Sequence, residues 1–223
     1  MDASLRSVYE HMIDLGCGSL SHANYLGHFY DMKNFKWNEL GVLQAAHSCE
    51  IFLKARLAQE HPLLIFDSLP KSTSSYISSS GVLDFNSLLQ AGRTIDYADL
   101  PEKVWAATGF KFTERQMSIY KEFGKLRNSI QHFASPNYDV SELTSRYVFE
   151  FIDPFINSQW GLFAIDFCDD HEPYEYFVEV LARRNIEFLV SPELGAEVLD
   201  YIKEGTSAYQ AAVLTQITQR GYL

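Results

Sequence analysis

Apolar positions along the chain recur at intervals of three and four rather than two, and that period predicts helices. The clearest case lies at 114–133, where Ile119, Phe123, Leu126, Ile130 and Phe133 form one apolar stripe. Thr113 and Gln116 fit a capping box at its start, because hydroxyl and amide can each satisfy a free backbone donor. At roughly 100° per residue, Arg127, Asn128, Gln131 and His132 are expected to fan across the opposite, polar side. The helix should stop before Ser135, since the residue ahead of Pro136 disfavours helix.

The same reading places amphipathic helices at 3–15 and 21–35, with Gly16, Cys17 and Gly18 as a turn between them. A long helix at 37–58 is rich in good helix formers and is followed by Pro62. Within it Glu50 and Lys54 form an i,i+4 pair in the favourable order. The serine-rich stretch at 71–81 reads as a loop, and Asp84 can cap a short helix through Leu89. Pro101 suits the first turn of a helix at 98–107. Beyond the 114–133 helix, 141–163 is expected to be helical with a bend at Pro154. Three more helices are expected at 174–187, 192–203 and 207–220, after an acidic turn at 166–173. No alternation persists long enough to predict a sheet, and no internal repeat is present. The expected fold is all-α: a helical bundle over 1–140 with additional C-terminal helices at 141–223 packed on it.

With 223 residues, 47% of them hydrophobic and 21% charged, the chain has the composition of an ordinary globular protein with a sizeable core. Its three cysteines, Cys17, Cys49 and Cys168, are scattered and match no metal-ligand spacing, which points to a reducing compartment. The first residues lack a basic stretch followed by an apolar run, so no signal peptide is expected. No apolar run approaches the ~20 residues that cross a bilayer. The expected location is the cytoplasm, away from membranes.

A net charge of −11 weighs against nucleic acid as a partner. The way that charge is distributed makes a local exception. Residues 111–132 hold five basic and two acidic side chains, whereas 139–204 hold four basic and fifteen acidic ones. A small RNA patch on the 114–133 helix is compatible with this; tight binding along a duplex is not.

Arg127 supplies a permanent planar cation, and His132, with four residues between them, a group that titrates near neutrality. A solvated helix back or a hydrogen bond between helices would account for the same pair. His47 and Glu50 have i,i+3 spacing, but no further metal ligand stands at a recognisable distance, so no metal is assigned. The cluster of Asp166, Asp169, Asp170, His171, Glu172 and Glu175 could attract a cation, but it reads as a solvated entry to a helix. The chain has no phosphate-binding glycine loop and no Gly-x-Ser-x-Gly elbow.

Two segments together carry a resemblance. Ala45-Ala46-His47-Ser48-Cys49-Glu50-Ile51-Phe52-Leu53-Lys54-Ala55 resembles the first long helix of HEPN-superfamily domains. Leu126-Arg127-Asn128-Ser129-Ile130-Gln131-His132-Phe133 resembles their R-x(4–6)-H signature, with Asn in the polar position after Arg. The likeness covers about residues 36–135. It implies a helical bundle that homodimerises so that two Arg/His motifs meet in one cleft. It also implies a metal-independent, cofactor-free endoribonuclease of toxin–antitoxin or phage-defence systems. On that footing Arg127 and His132 are the catalytic residues, with Asn128 and Glu50 supporting them. RNA is the substrate, and an antitoxin or regulatory protein a further partner. Some relatives are modified at a Tyr two residues after the signature His; here that position is Ala134. The competing expectation is a HEPN-like module that binds or regulates a partner without catalysis.

Overall fold

A computed structural model describes residues 5, 7–132, 136–168 and 174–223. The fold is all-α, with a single two-stranded ladder among the described residues. Contacts gather residues 1–16 and 50–112 into one compact unit and 17–49 and 113–223 into another.

The first helix, α1 (Val8–His28), runs straight through Gly16, Cys17 and Gly18, so the turn expected there does not exist. Glycine at 16 serves close packing instead: a Cβ there would lie 2.8 Å from the Phe52 ring. Gly18 has nothing within 4 Å and is simply an exposed helical glycine. The second helix, α2 (Trp37–Glu60), spans the expected range and is buried at Val42, Ala45, Ala46, Cys49, Phe52, Leu53, Ala55 and Leu57.

In the unit of residues 50–112, β1 (Phe66–Ser68) pairs antiparallel with β2 (Arg93–Thr94), in the register Phe66 to Thr94. The sequence does not predict this ladder, because strands of three and two residues are too short to leave an alternating pattern. Asp84 caps α3 (Phe85–Ala91) by accepting the Ser87 N–H at 3.1 Å. Pro101 opens α4 (Leu100–Thr108), which Gly109 closes in the left-handed conformation at φ 76°.

In the other unit, α5 (Glu114–Gln131) begins with the expected capping box. Thr113 Oγ1 accepts the Gln116 N–H at 3.2 Å, while Gln116 Oε1 accepts the Thr113 N–H at 2.9 Å. Its inner face packs on α6 (Ser141–Tyr147) and the wide π-helical turn Val148–Ile152 that follows. There Phe123 stacks on Tyr147 with centroids 3.9 Å apart, and Tyr120 lies 4.9 Å from the Phe151 ring. The π turn leads directly into α7 (Asp153–Trp160), so Pro154, which lacks an N–H, falls in a first turn where none is needed. Gly161 caps α7, which ends three residues before the expected limit.

Downstream, α8 (Tyr174–Arg183) starts where expected but ends four residues short of 187, and α10 (Ser207–Arg220) has its expected bounds. The helix expected at 192–203 is instead two 3-10 turns flanking the one-turn α9 (Val198–Tyr201). Gly195, at φ 50°, interrupts it. The acidic run at 169–173 lies outside the described residues.

Candidate functional site

The expected site lies at the C-terminal end of α5, and the helix geometry corrects one part of it. Arg127 does not stand on the far side from the core. It follows buried Phe123 by four residues and buried Tyr120 by seven, so it emerges at the margin of the packed face and is itself partly buried. Asn128, Gln131 and His132 are exposed as expected. Ile119 and Ile130 of the expected stripe are only partly buried, while Tyr120 and Gly124 are inside. The buried face is therefore rotated toward Arg127.

Arg127 Nη1 donates to Asn128 Oδ1 at 3.0 Å, which brings these two motif residues together. His132 closes the helix: its backbone N–H is shared between the carbonyls of Asn128 at 3.1 Å and Ser129 at 3.2 Å. Asn128 and His132, four apart, share a flank with exposed Lys121 and Lys125. Arg127 and His132, five apart, are turned roughly 140° from one another about the helix axis. A single copy thus presents the imidazole on a cationic stripe and the guanidinium on a different flank. Phe133 and Ala134 lie outside the described residues.

Glu50 belongs to the unit of residues 50–112. Its carboxylate takes the Lys54 ammonium at 2.7 Å, the ion pair expected from their spacing, and Lys54 also donates to Thr94 Oγ1 at 3.1 Å. His47 is exposed, and no group of three or more potential ligands is placed to hold a metal among the described residues.

A groove of about 570 Å³ runs along the flank of α5 beside Ser129. Ile119, Phe123 and Leu126 form one wall, Tyr138 and Leu143 the other, with Glu122, Lys125 and Arg146 among its charged lining residues.

Two polar centres, one half-buried and one fully buried, have no counterpart in the sequence reading. At the end of α1, the His28 ring places Nδ1 2.7 Å from the Asn24 carbonyl and Nε2 3.2 Å from Ser145 Oγ. Arg184 donates to Ser145 Oγ and Ser141 Oγ, both at 2.7 Å. Burial pushes the imidazole down to about 3, against the opposing pull of its Asn24 hydrogen bond, so the ring is neutral near pH 7. Ser145 is fully buried, so the serine–histidine contact holds helices together rather than meeting a substrate. The second centre is Asp153, also fully buried, whose two oxygens accept the backbone N–H groups of Ala164 and Leu189, each at 2.8 Å. Burial raises its carboxyl to about 7, and the two backbone donors act the other way. Neither centre carries a local signal, because every partner except Asn24 comes from elsewhere in the chain.

Among known proteins, no family model, no curated protein and no solved structure matches this chain.

Proposed function

We propose that this chain is a metal-independent endoribonuclease of the HEPN type that cuts single-stranded RNA as a homodimer. The observation that supports it is the end of α5: exposed His132 in line with Lys121, Lys125 and Asn128, and Arg127 held one residue away by the Asn128 side chain. The cationic stripe suits a short stretch of phosphates. The imidazole can take up and give back a proton. The guanidinium fork suits a phosphoryl group.

In this reading the RNA 2′-hydroxyl attacks the adjacent phosphorus while His132 takes its proton. The bond to the 5′-oxygen breaks, that oxygen is protonated by an imidazolium, and Arg127 offsets charge on the phosphoryl oxygens. The products are a 2′,3′-cyclic phosphate and a 5′-hydroxyl. Because Arg127 and His132 diverge on one helix, the reading assigns the clamp and the base at one scissile bond to different copies. A toxin or phage-defence setting, a cytoplasmic location and restraint by an antitoxin or regulatory protein belong to the same proposal. No helix among the described residues is long and apolar enough to cross a membrane.

The test is cleavage of an unstructured RNA by the purified full chain in the presence of a chelator, with the product ends identified. Activity leaving cyclic phosphates and lost in His132→Ala supports the reading. Equal activity in that variant removes it. The divergence of Arg127 from His132 also favours a second reading, a HEPN-like module that binds a partner without cutting RNA. That module would be inert in the cleavage assay.

A further inference from the structure

The groove beside α5 has no part in the proton transfer and phosphate contact assigned above, yet its position ties it to them. Glu122, Lys125 and Ser129 line it, and His132 follows Ser129 by three residues, about 4.5 Å along the axis. At roughly 100° per residue, these four side chains fall within about 80° of arc on one flank. Arg127 leaves by another flank, outside the groove. The groove therefore ends one helical turn short of the imidazole, on the imidazole's own side.

Its lining combines three kinds of contact. Phe123, Leu126 and Leu143 supply apolar walls, and the Tyr138 ring at their edge is 60% exposed. An exposed flat ring beside apolar walls suits the face of another flat ring. Glu122 Oε1 takes the Ser118 hydroxyl at 3.2 Å, and its second oxygen can accept an N–H. Arg146 is held by Glu142 and Glu150, each at 2.8 Å, which leaves exposed Lys125 as the cation for a phosphate. A purely apolar ligand would make no use of Glu122 or Lys125. A nucleotide uses both, because it joins a flat face, edge N–H donors and a phosphate in one unit.

We propose that this groove holds one unpaired purine of the RNA strand, next to the phosphate addressed by His132 and Arg127. Tyr138 stacks on the base, Glu122 accepts an N–H from its Watson–Crick edge, and Lys125 pairs with its phosphate. A purine has the larger face to stack, and adenine and guanine both carry N–H donors on that edge. In a duplex the edge is paired and the faces are covered, so the groove selects single strands. The subsite rests on the ribonuclease reading for its substrate, and it adds Tyr138 and Glu122 as the residues that choose the nucleotide.

Fluorescence anisotropy of the full chain with labelled RNA hexamers tests this without cleavage, since every 2′-hydroxyl is methylated. The wild type should bind an alternating adenine–guanine hexamer about tenfold tighter than an all-uracil one. Tyr138→Ala should lose about tenfold on the purine hexamer and little on the uracil one, with helicity unchanged in circular dichroism. Tyr138→Phe should keep the preference, because the ring remains. Glu122→Ala should weaken the purine hexamer alone, and a hairpin that pairs the same purines should bind as weakly as uracil. Equal affinity for the two hexamers overturns the proposal, and so does a preference that survives Tyr138→Ala. Loss in Tyr138→Phe as complete as in the alanine variant also overturns it. A chain that binds neither hexamer but self-associates through Tyr138 gives the groove to a protein surface and overturns it too. Cleavage without base preference leaves the ribonuclease reading standing and the subsite fallen; Tyr138-dependent purine binding by a chain that cuts nothing does the reverse.

Discussion

Asn128 Oδ1 accepts a 3.0 Å hydrogen bond from Arg127 Nη1, and so one motif residue sets the pose of the other. The amide pulls a guanidinium that leaves the helix beside Phe123 toward the exposed flank. Asn128→Ala removes that bond. In the ribonuclease reading, Asn128→Ala should lower cleavage by roughly tenfold, through positioning alone. Asn128→Asp should retain more activity, since the carboxylate still accepts the same bond. Initial rates on one RNA substrate for the three proteins check this, and equal rates would remove any part for Asn128.

Arg127→Lys probes the fork rather than the charge. A lysine preserves the cation but cannot bind a phosphoryl group through two parallel N–H donors. If Arg127 clamps the scissile phosphate, the lysine variant should lose most of the activity that Arg127→Ala loses, on the order of 10²-fold. Full rescue by lysine would reduce Arg127 to general electrostatic attraction, with the salt dependence unchanged because the charge is kept.

Asp153→Asn tests the buried carboxylate. An amide can accept only one of the two backbone N–H groups and must present its own donor to the other. The cost should be about 2 kcal/mol, seen as a fall of roughly 4–8 °C in Tm. An unchanged Tm would mean that residues 164 and 189 find other acceptors.

The pH dependence of stability contains two opposing contributions. Asp153 has its folded pKa raised to about 7, so its contribution is fully present below the unfolded carboxyl range and is lost as pH rises through 7. His28 has its folded pKa lowered to about 3, so the unfolded chain binds the proton more readily. Its contribution is present above the ordinary imidazole value near 6.5 and is lost as pH falls toward 3. Between about pH 4 and 6.5 the two offset each other. Asp153→Asn should expose the His28 slope, with stability rising with pH across that window. Denaturant titrations at several pH values measure it, and a flat profile in the variant would contradict the assignment.

Glycines 16 and 18 should respond in opposite directions. A Cβ at Gly16 meets the Phe52 ring at 2.8 Å, so Gly16→Ala should cost about 1–3 kcal/mol through overpacking. Gly18→Ala meets nothing within 4 Å and should gain about 0.5–1 kcal/mol from helix propensity. Chemical denaturation of the two variants decides it.

How legible each feature is in the sequence depends on how far along the chain its partner lies. The Thr113–Gln116 box and the Asp84 cap are satisfied within three residues, and both can be read locally. Gly16 resembles a helix stop because nothing nearby shows Phe52 arriving against it. Arg127 follows Phe123 of the expected stripe by four residues, so it borders that stripe rather than opposing it. Tyr120, whose ring is buried despite its hydroxyl, shifts the buried face toward Arg127. The π turn leaves no periodic trace, since one additional residue only delays the pattern. His28 and Asp153 have partners far along the chain, which no window of local pattern contains.

The wide turn at Val148–Ile152 acts as a spacer of fixed length between the helix that braces α5 and the carboxylate that gathers the later segments. Deleting one residue within it would restore ordinary winding, so that each backbone N–H from there on needs the carbonyl four residues back. The Pro154 ring would then be driven against a carbonyl one turn back, which bends or breaks the helix that carries Asp153 to Ala164 and Leu189. This stretch should therefore accept changes of side chain far more readily than a change in the number of residues.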